Sequence, residues 1–162
     1  MNFTAIGFET ATGYRNSACV IGVVTVENSE IIDEYYTLIR PPSNDYWHRN
    51  IRVHGIHPED TENVPTFAGL YSEIKSRLQG QTIVAHNEVF DRGVLKNTME
   101  HYGLNYHELN LPARWECTLQ IYRARGFKPC KLSDCCQHMN IPLNHHEALS
   151  DAIACAKLYL RR

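Results

Sequence analysis

The sequence predicts a mixed α/β domain, a hairpin-bearing sheet with helices on both faces, and three features carry that expectation. First, residues 3–9 alternate Phe3, Ala5, Gly7 and Glu9 with Thr4, Ile6 and Phe8. Both faces are mostly apolar, so the strand should be central and covered on both sides. Second, two apolar, β-branched runs, Cys19 to Val26 and Ile31 to Ile39, flank the turn sequence Glu27-Asn28-Ser29-Glu30 and should form an antiparallel hairpin. Third, strand and helix patterns alternate after residue 66, which puts helices over the sheet. At 162 residues the chain has the size of a single domain, 1–162.

The elements follow in order. Pro41-Pro42 ends the hairpin, and residues 43–64 are polar and irregular, carrying Asn50-Ile51-Arg52-Val53-His54-Gly55-Ile56. A loop of that length is more often functional than filler. Thr66 to Gln79 places Phe67, Leu70, Tyr71, Ile74 and Leu78 on one side of an amphipathic helix, and Gly80 stops it. Thr82 to Ala85 is a short buried strand that runs into a helix from about Asn87 to Tyr102, with Asn87 as the expected N-cap. Residues 113–117 supply a last strand, and short helices are expected near 118–125 and 131–139. A final helix runs from about His146 to Leu160, with Asn144 and Glu147 at capping-box spacing.

Composition narrows the function. Sixteen Lys and Arg against 18 Asp and Glu give a net charge of −2, which excludes a broadly basic nucleic-acid-binding surface. A local basic patch and a partner held through metal ions both stay open, and Arg114, Arg123, Arg125, Lys128 and Lys131 lean toward a polymeric ligand. No apolar run approaches the ~18 residues of a membrane span, and Met1-Asn2-Phe3-Thr4 does not read as a signal peptide. The six cysteines contain no CxxC pair and are expected to be reduced, in the cytoplasm. Cys130, Cys135, Cys136 and His138 crowd together, at a spacing that fits no common zinc pattern.

Ligand sites in open α/β sheets gather at the carboxyl ends of strands. Three carboxylates lie at such ends or at adjoining helix starts: Glu9, Asp91 and Asp151. Singly, each has an ordinary reading: Glu9 paired with Arg15, Asp91 in a helix first turn, His146 as a structural residue. Together they suit a hard divalent cation, which takes carboxylate oxygens, water and substrate phosphate. Two such ions clamp the attacking and leaving oxygens of a phosphodiester. His146, about 140° around a helix from Asp151, can flank the same site and take a proton from water.

Three segments resemble a known family. Ala5-Ile6-Gly7-Phe8-Glu9-Thr10 is similar to its Asp-x-Glu motif at the end of strand 1, His86-Asn87-Glu88-Val89-Phe90-Asp91 to its second motif, and His146-Glu147-Ala148-Leu149-Ser150-Asp151 to its third. The family is that of the DEDDh 3′–5′ exonucleases, relatives of the proofreading subunit of bacterial replicative polymerases. Val53-His54-Gly55-Ile56 also resembles the family's His-Gly-Ile segment beside the substrate. The resemblance spans nearly the whole chain and implies a ribonuclease H-like fold with a five-stranded mixed sheet. It implies two Mg²⁺ or Mn²⁺ ions and release of 5′-mononucleotides from the 3′ end of single-stranded DNA or RNA, alone or within a larger nucleic-acid-processing assembly. By position, Glu9, Asp91 and Asp151 would be metal ligands, and His146 the general base. The terminal nucleotide would lie between the Glu9-Thr10 backbone, Phe90 and His54.

Position 7, where the family carries its first Asp, is Gly7. Strand alternation puts it on the same face as Glu9, and folding supplies no evident reason for glycine there. In the family that Asp bridges both metals, so the resemblance implies a weak second metal site and weakened chemistry. A deliberate inactivating change, a natural or cloning variant, and a degenerate member that binds without cutting are all consistent with Gly7. A non-catalytic nucleic-acid-binding module of the same fold and a phosphohydrolase acting on small nucleotides are the alternatives.

Overall fold

A computed structural model describes all 162 residues. Three strands come first: β1 (Phe3–Thr10), β2 (Ala18–Glu27) and β3 (Glu30–Leu38). Short helices α1 (His48–His54) and α2 (Pro58–Thr61) follow, then α3 (Phe67–Leu78), β4 (Ile83–Ala85) and α4 (Glu88–His101). The chain closes with β5 (Glu116–Cys117), α5 (Thr118–Ala124), α6 (Leu132–Met139) and α7 (Ala148–Leu160). The five strands form one mixed sheet in the order β3-β2-β1-β4-β5. β1 runs antiparallel to β2 and parallel to β4, so it is the central strand its two-faced pattern predicted.

The alternation along β1 separates two cores. Ile6 and Phe8 join Phe67, Ile74 and Leu95 beneath α3 and α4. Phe3 and Ala5 face α7, packed with Ala152, Cys155 and Tyr159. Gly7 and Glu9 continue that second row and so point toward the start of α7. The Gly7–Gly22 pair stands directly under it. A Cβ built on Gly22 would collide with the Ala148 carbonyl, whereas one built on Gly7 would lie 3.1 Å from that oxygen. A packing reason for glycine at position 7, absent from the sequence reading, therefore exists: the helix start rests on backbone. The squeeze at Gly7 is a few tenths of an ångström, far milder than at Gly22.

Four local expectations need correction. Residues 43–64 are not irregular throughout; they hold α1, α2 and a 3-10 turn at Pro42–Asn44. Helices of four to seven residues show too few periods to be read from sequence. The last helix begins at Ala148, not His146, because His146 adopts a left-handed backbone with φ 66°. Its N-cap is Glu147, whose carboxylate accepts from the Leu149 and Ser150 N–H groups, displacing Asn144 from that role. Asn87 does precede α4, but in a left-handed conformation and without a side-chain cap. No helix is long and apolar enough to cross a membrane.

Candidate active site

β4 ends at Ala85, and its pairing with β1 covers only Thr4 and Ala5. Beyond it the Phe8 N–H lacks a strand partner on that side. Asp91, from the first turn of α4, fills the gap: its Oδ1 accepts from Phe8 N at 3.0 Å. The carboxylate is thereby fixed beside the end of β1, almost fully buried. Glu9 projects from the same strand end, and Asp151 enters from the first turn of α7. The three line one cleft of about 520 Å³ together with Gly7, Phe90 and His146.

The electrostatics of this cluster are unfavourable as it stands. Burial, then the Asp151 charge, pushes the Glu9 carboxyl up to about 8. Burial drives Asp91 well above the usual carboxylate range, against the opposing Phe8 hydrogen bond. Burial also raises Asp151. No Lys or Arg pairs with any of the three. Asp151 Oδ1 is buried without a hydrogen bond, and His145 Nδ1 lies 3.5 Å from it. An orphaned carboxylate oxygen beside two further unpaired carboxylates fits a hard divalent cation, which supplies the missing positive charge.

His146 Nδ1 lies 3.7 Å from Glu9 Oε1, and its ring stacks on His145 with centroids 3.7 Å apart. Burial and then His145 lower the His146 pKa, favouring the neutral, proton-accepting imidazole. His145, a residue the sequence analysis did not single out, lines the cleft together with His146. Ligand atoms of His145, His146 and Asp151 lie within 4.8 Å of one another.

The remaining expected residues divide. Phe90 lines the cleft, half-buried against the core, with the Arg15 guanidinium 5.9 Å from its ring centroid. Arg15 donates to the Val89 carbonyl rather than pairing with Glu9. Thr10 and His54 do not line the cleft. Thr10 is buried, and its carbonyl is 3.0 Å from His54 Nε2. His54 Nδ1 accepts from Ile56 N, so Nε2 carries the proton and donates. Asn50 adds bonds to the Thr10 and Thr12 carbonyls, at 3.0 Å each. His54 and Asn50 thus strap α1 to the end of β1 and hold the exposed Val53 at the cleft mouth.

Sequence reasoning also missed His86. It stands in the cleft wall, its Nε2 donating to the Cys130 carbonyl at 3.2 Å and its Nδ1 3.0 Å from Thr118 Oγ1. Burial lowers it to about 4, so it is a neutral brace between α5 and the segment before α6. Its place in His86-Asn87-x-x-Phe90-Asp91 was the available signal.

The exonuclease (RNase T) family model matches residues 5–159. The chain is 29% identical over 164 residues to the PolC-type DNA polymerase III of Thermotoga petrophila, covering 98% of this chain and 12% of that protein. It is 28% identical over 148 residues to the 3′-5′ exonuclease DinG of Staphylococcus aureus, covering 86% and 15% respectively. Among solved structures, exonuclease I superposes with TM-score 0.85 at 18% identity, over 99% of this chain and 41% of that one. Exonuclease X, solved in complex with 5′ overhanging duplex DNA, superposes with TM-score 0.74 at 22% identity, over 98% and 89%. This chain therefore belongs to the exonuclease (RNase T) family, on the DEDDh, DnaQ-like form of the ribonuclease H-like fold.

Proposed function

We propose that residues 1–162 form one metal-dependent 3′–5′ exonuclease domain that releases 5′-mononucleotides from single-stranded DNA or RNA ends, with turnover weakened by Gly7. The observation that carries this reading is the convergence of Glu9, Asp91 and Asp151 in one cleft with no Lys or Arg ion-paired to any of them. The family is metal-dependent, and Mg²⁺ or Mn²⁺ suits three carboxylates better than a softer ion. Glu9, Asp91 and Asp151 would hold the metal. When bound, it would polarise the phosphodiester and stabilise the charge developing on it.

The chain's own residues supply the rest. His146, neutral and 3.7 Å from Glu9, accepts the proton of the attacking water and passes it to solvent through its exposed edge. The water oxygen joins phosphorus, the bond to the 3′ oxygen breaks, and that oxygen leaves with a solvent proton. Phe90 offers a face to the terminal base, which stacks without reading sequence. Thr10 acts through its backbone and His54 by holding that backbone in place, rather than by touching the nucleotide. Gly7 leaves the cluster one carboxylate short of the family set, so the second metal site is weak.

Gly7 also favours a second reading, a non-catalytic nucleic-acid-binding module on the same fold. A single comparison separates the two: mononucleotide release from DNA and RNA oligonucleotides by the Gly7 chain and by Gly7→Asp, with Mg²⁺ or Mn²⁺. Release rising by about 10³-fold, some 4 kcal/mol of barrier, supports the exonuclease reading; no release by either folded protein supports the binding module. The chain spans 12% of its PolC-type DNA polymerase III relative, and that likeness supports a partner role in a larger nucleic-acid-processing assembly. Six unpaired thiols, two with sulfurs 3.5 Å apart, support a reducing, cytoplasmic setting.

A further inference from the structure

The cleft that carries the three carboxylates is also lined by two cations. Between Glu116 and Asp134 the chain has no acidic residue and four basic ones: Arg123, Arg125, Lys128 and Lys131. In a protein of net charge −2 that segment is an exception. Arg123, in the last turn of α5, and Lys131, just before α6, both line the same cleft as Glu9, Asp91 and Asp151. Both are exposed. Neither side chain makes a hydrogen bond or an ion pair, although unpaired carboxylates stand in the same cleft; the paired Lys and Arg residues are Lys75, Arg77 and Arg92.

The wall is held in place from behind. His86 donates to the Cys130 carbonyl, the Cys130 thiol lies 3.4 Å from the Leu119 carbonyl, and Lys131 N donates to Asp134 Oδ2 at 3.0 Å. Arg125 is different: its guanidinium donates to the Arg161 carbonyl and lies 4.7 Å from the Tyr122 ring centroid, so it is already committed.

We infer that Arg123 and Lys131 form a phosphate-binding wall for the backbone of a single-stranded polynucleotide, holding phosphodiesters 5′ of the terminal nucleotide. The inference rests on the exonuclease-domain reading above and adds to it the surface that makes the site choose a polymer over a mononucleotide. Two free cations in one cleft with a carboxylate cluster suit a chain whose end phosphate goes to the metal side and whose next phosphates need positive charge. Phosphates are common to DNA and RNA, so the wall serves both alike.

The test is fluorescence anisotropy with labelled oligothymidylate and oligouridylate, in chelator, across a salt series. The double variant Arg123→Ala/Lys131→Ala should weaken binding of both by at least about fivefold and lower the log–log salt slope by about 1.4, about 0.7 for each lost phosphate contact. Arg125→Ala removes the same type of charge from a committed group and should change affinity less than about twofold. Lys131→Gln alone carries the test should the double variant fail to fold. Unchanged affinity and slope, or an equal loss in Arg125→Ala, overturns the wall. The Mg²⁺-induced melting shift of the same proteins keeps the two readings apart. A normal shift with binding indifferent to Arg123 and Lys131 refutes the wall alone; no shift with dependence intact refutes the metal site alone.

Discussion

Replacing Glu9 by Gln should make the metal-free protein more stable, although it removes a residue proposed to hold metal. The carboxyl titrates near 8 in the fold against an ordinary 4.5, the upward shift coming from burial and then from Asp151. The folded state therefore binds the proton more tightly than the unfolded chain does. Stability from this group is complete below about 4.5 and is lost as pH rises through about 8. Near pH 7 the folded chain bears up to about 3 kcal/mol of that penalty. A glutamine of the same shape removes it but must bury an amide, which leaves a gain of roughly 1–3 kcal/mol. For a chain of 162 residues each kcal/mol is worth about 3 °C, so the melting temperature in chelator should rise by about 3–9 °C. Saturating Mg²⁺ should reverse the order, since it stabilises only what binds it. Calorimetric melting of both proteins with chelator and with Mg²⁺, at pH values either side of 8, is the measurement. A Glu9→Gln protein that melts below its parent in chelator, or gains as much from Mg²⁺, would refute the argument that this carboxylate waits for a cation.

Gly7→Asp should do the opposite: a fourth carboxylate enters the cluster and its Cβ lies 3.1 Å from the Ala148 carbonyl, so melting without metal should fall by a few degrees and the Mg²⁺ response should grow, both read by calorimetry. In that background His146→Ala should cut mononucleotide release by about 10²-fold or more and leave the metal-induced melting shift in place; near-full rate would end the general-base assignment. Phe90→Ala should weaken single-strand affinity by roughly 1–3 kcal/mol in an anisotropy titration, and unchanged affinity in a folded variant would return Phe90 to plain core packing. Gly22→Ala collides with the Ala148 carbonyl and should cost about 1–3 kcal/mol in urea unfolding, whereas Gly13→Ala meets only the side chains of Trp47 and Arg49 and should cost less.

What the sequence disclosed and what it hid have physical causes. β1 was legible because Ile6 and Phe8 on one face and Phe3 and Ala5 on the other serve two different cores. The three carboxylates were legible as a set because strand ends and helix starts converge in an α/β sheet whatever the details. The start of α7 was not, since no glycine or asparagine marks the left-handed turn at His146. The strap of α1 on β1 was hidden too. It depends on side chains of Asn50 and His54 reaching backbone carbonyls some forty residues away in sequence, and no local pattern records that. Arg123 and Lys131 were visible as basic residues, but only the fold puts them in one cleft with Glu9.

The contact between the Ala148 carbonyl and the Gly7–Gly22 pair acts as a mechanical stop. Main chain meets main chain there, with no rotatable side chain between them to yield. The wall that bears Asp151 cannot move closer to the strand that bears Glu9, so their separation is a property of the frame rather than of packing that relaxes. Contraction around a smaller ion would then have to come from the torsions of Glu9 and Asp151, since Asp91 is tied to the Phe8 N–H. A cleft built this way resists closure, and its fit to a small ion is set by side-chain torsions rather than by movement of the frame.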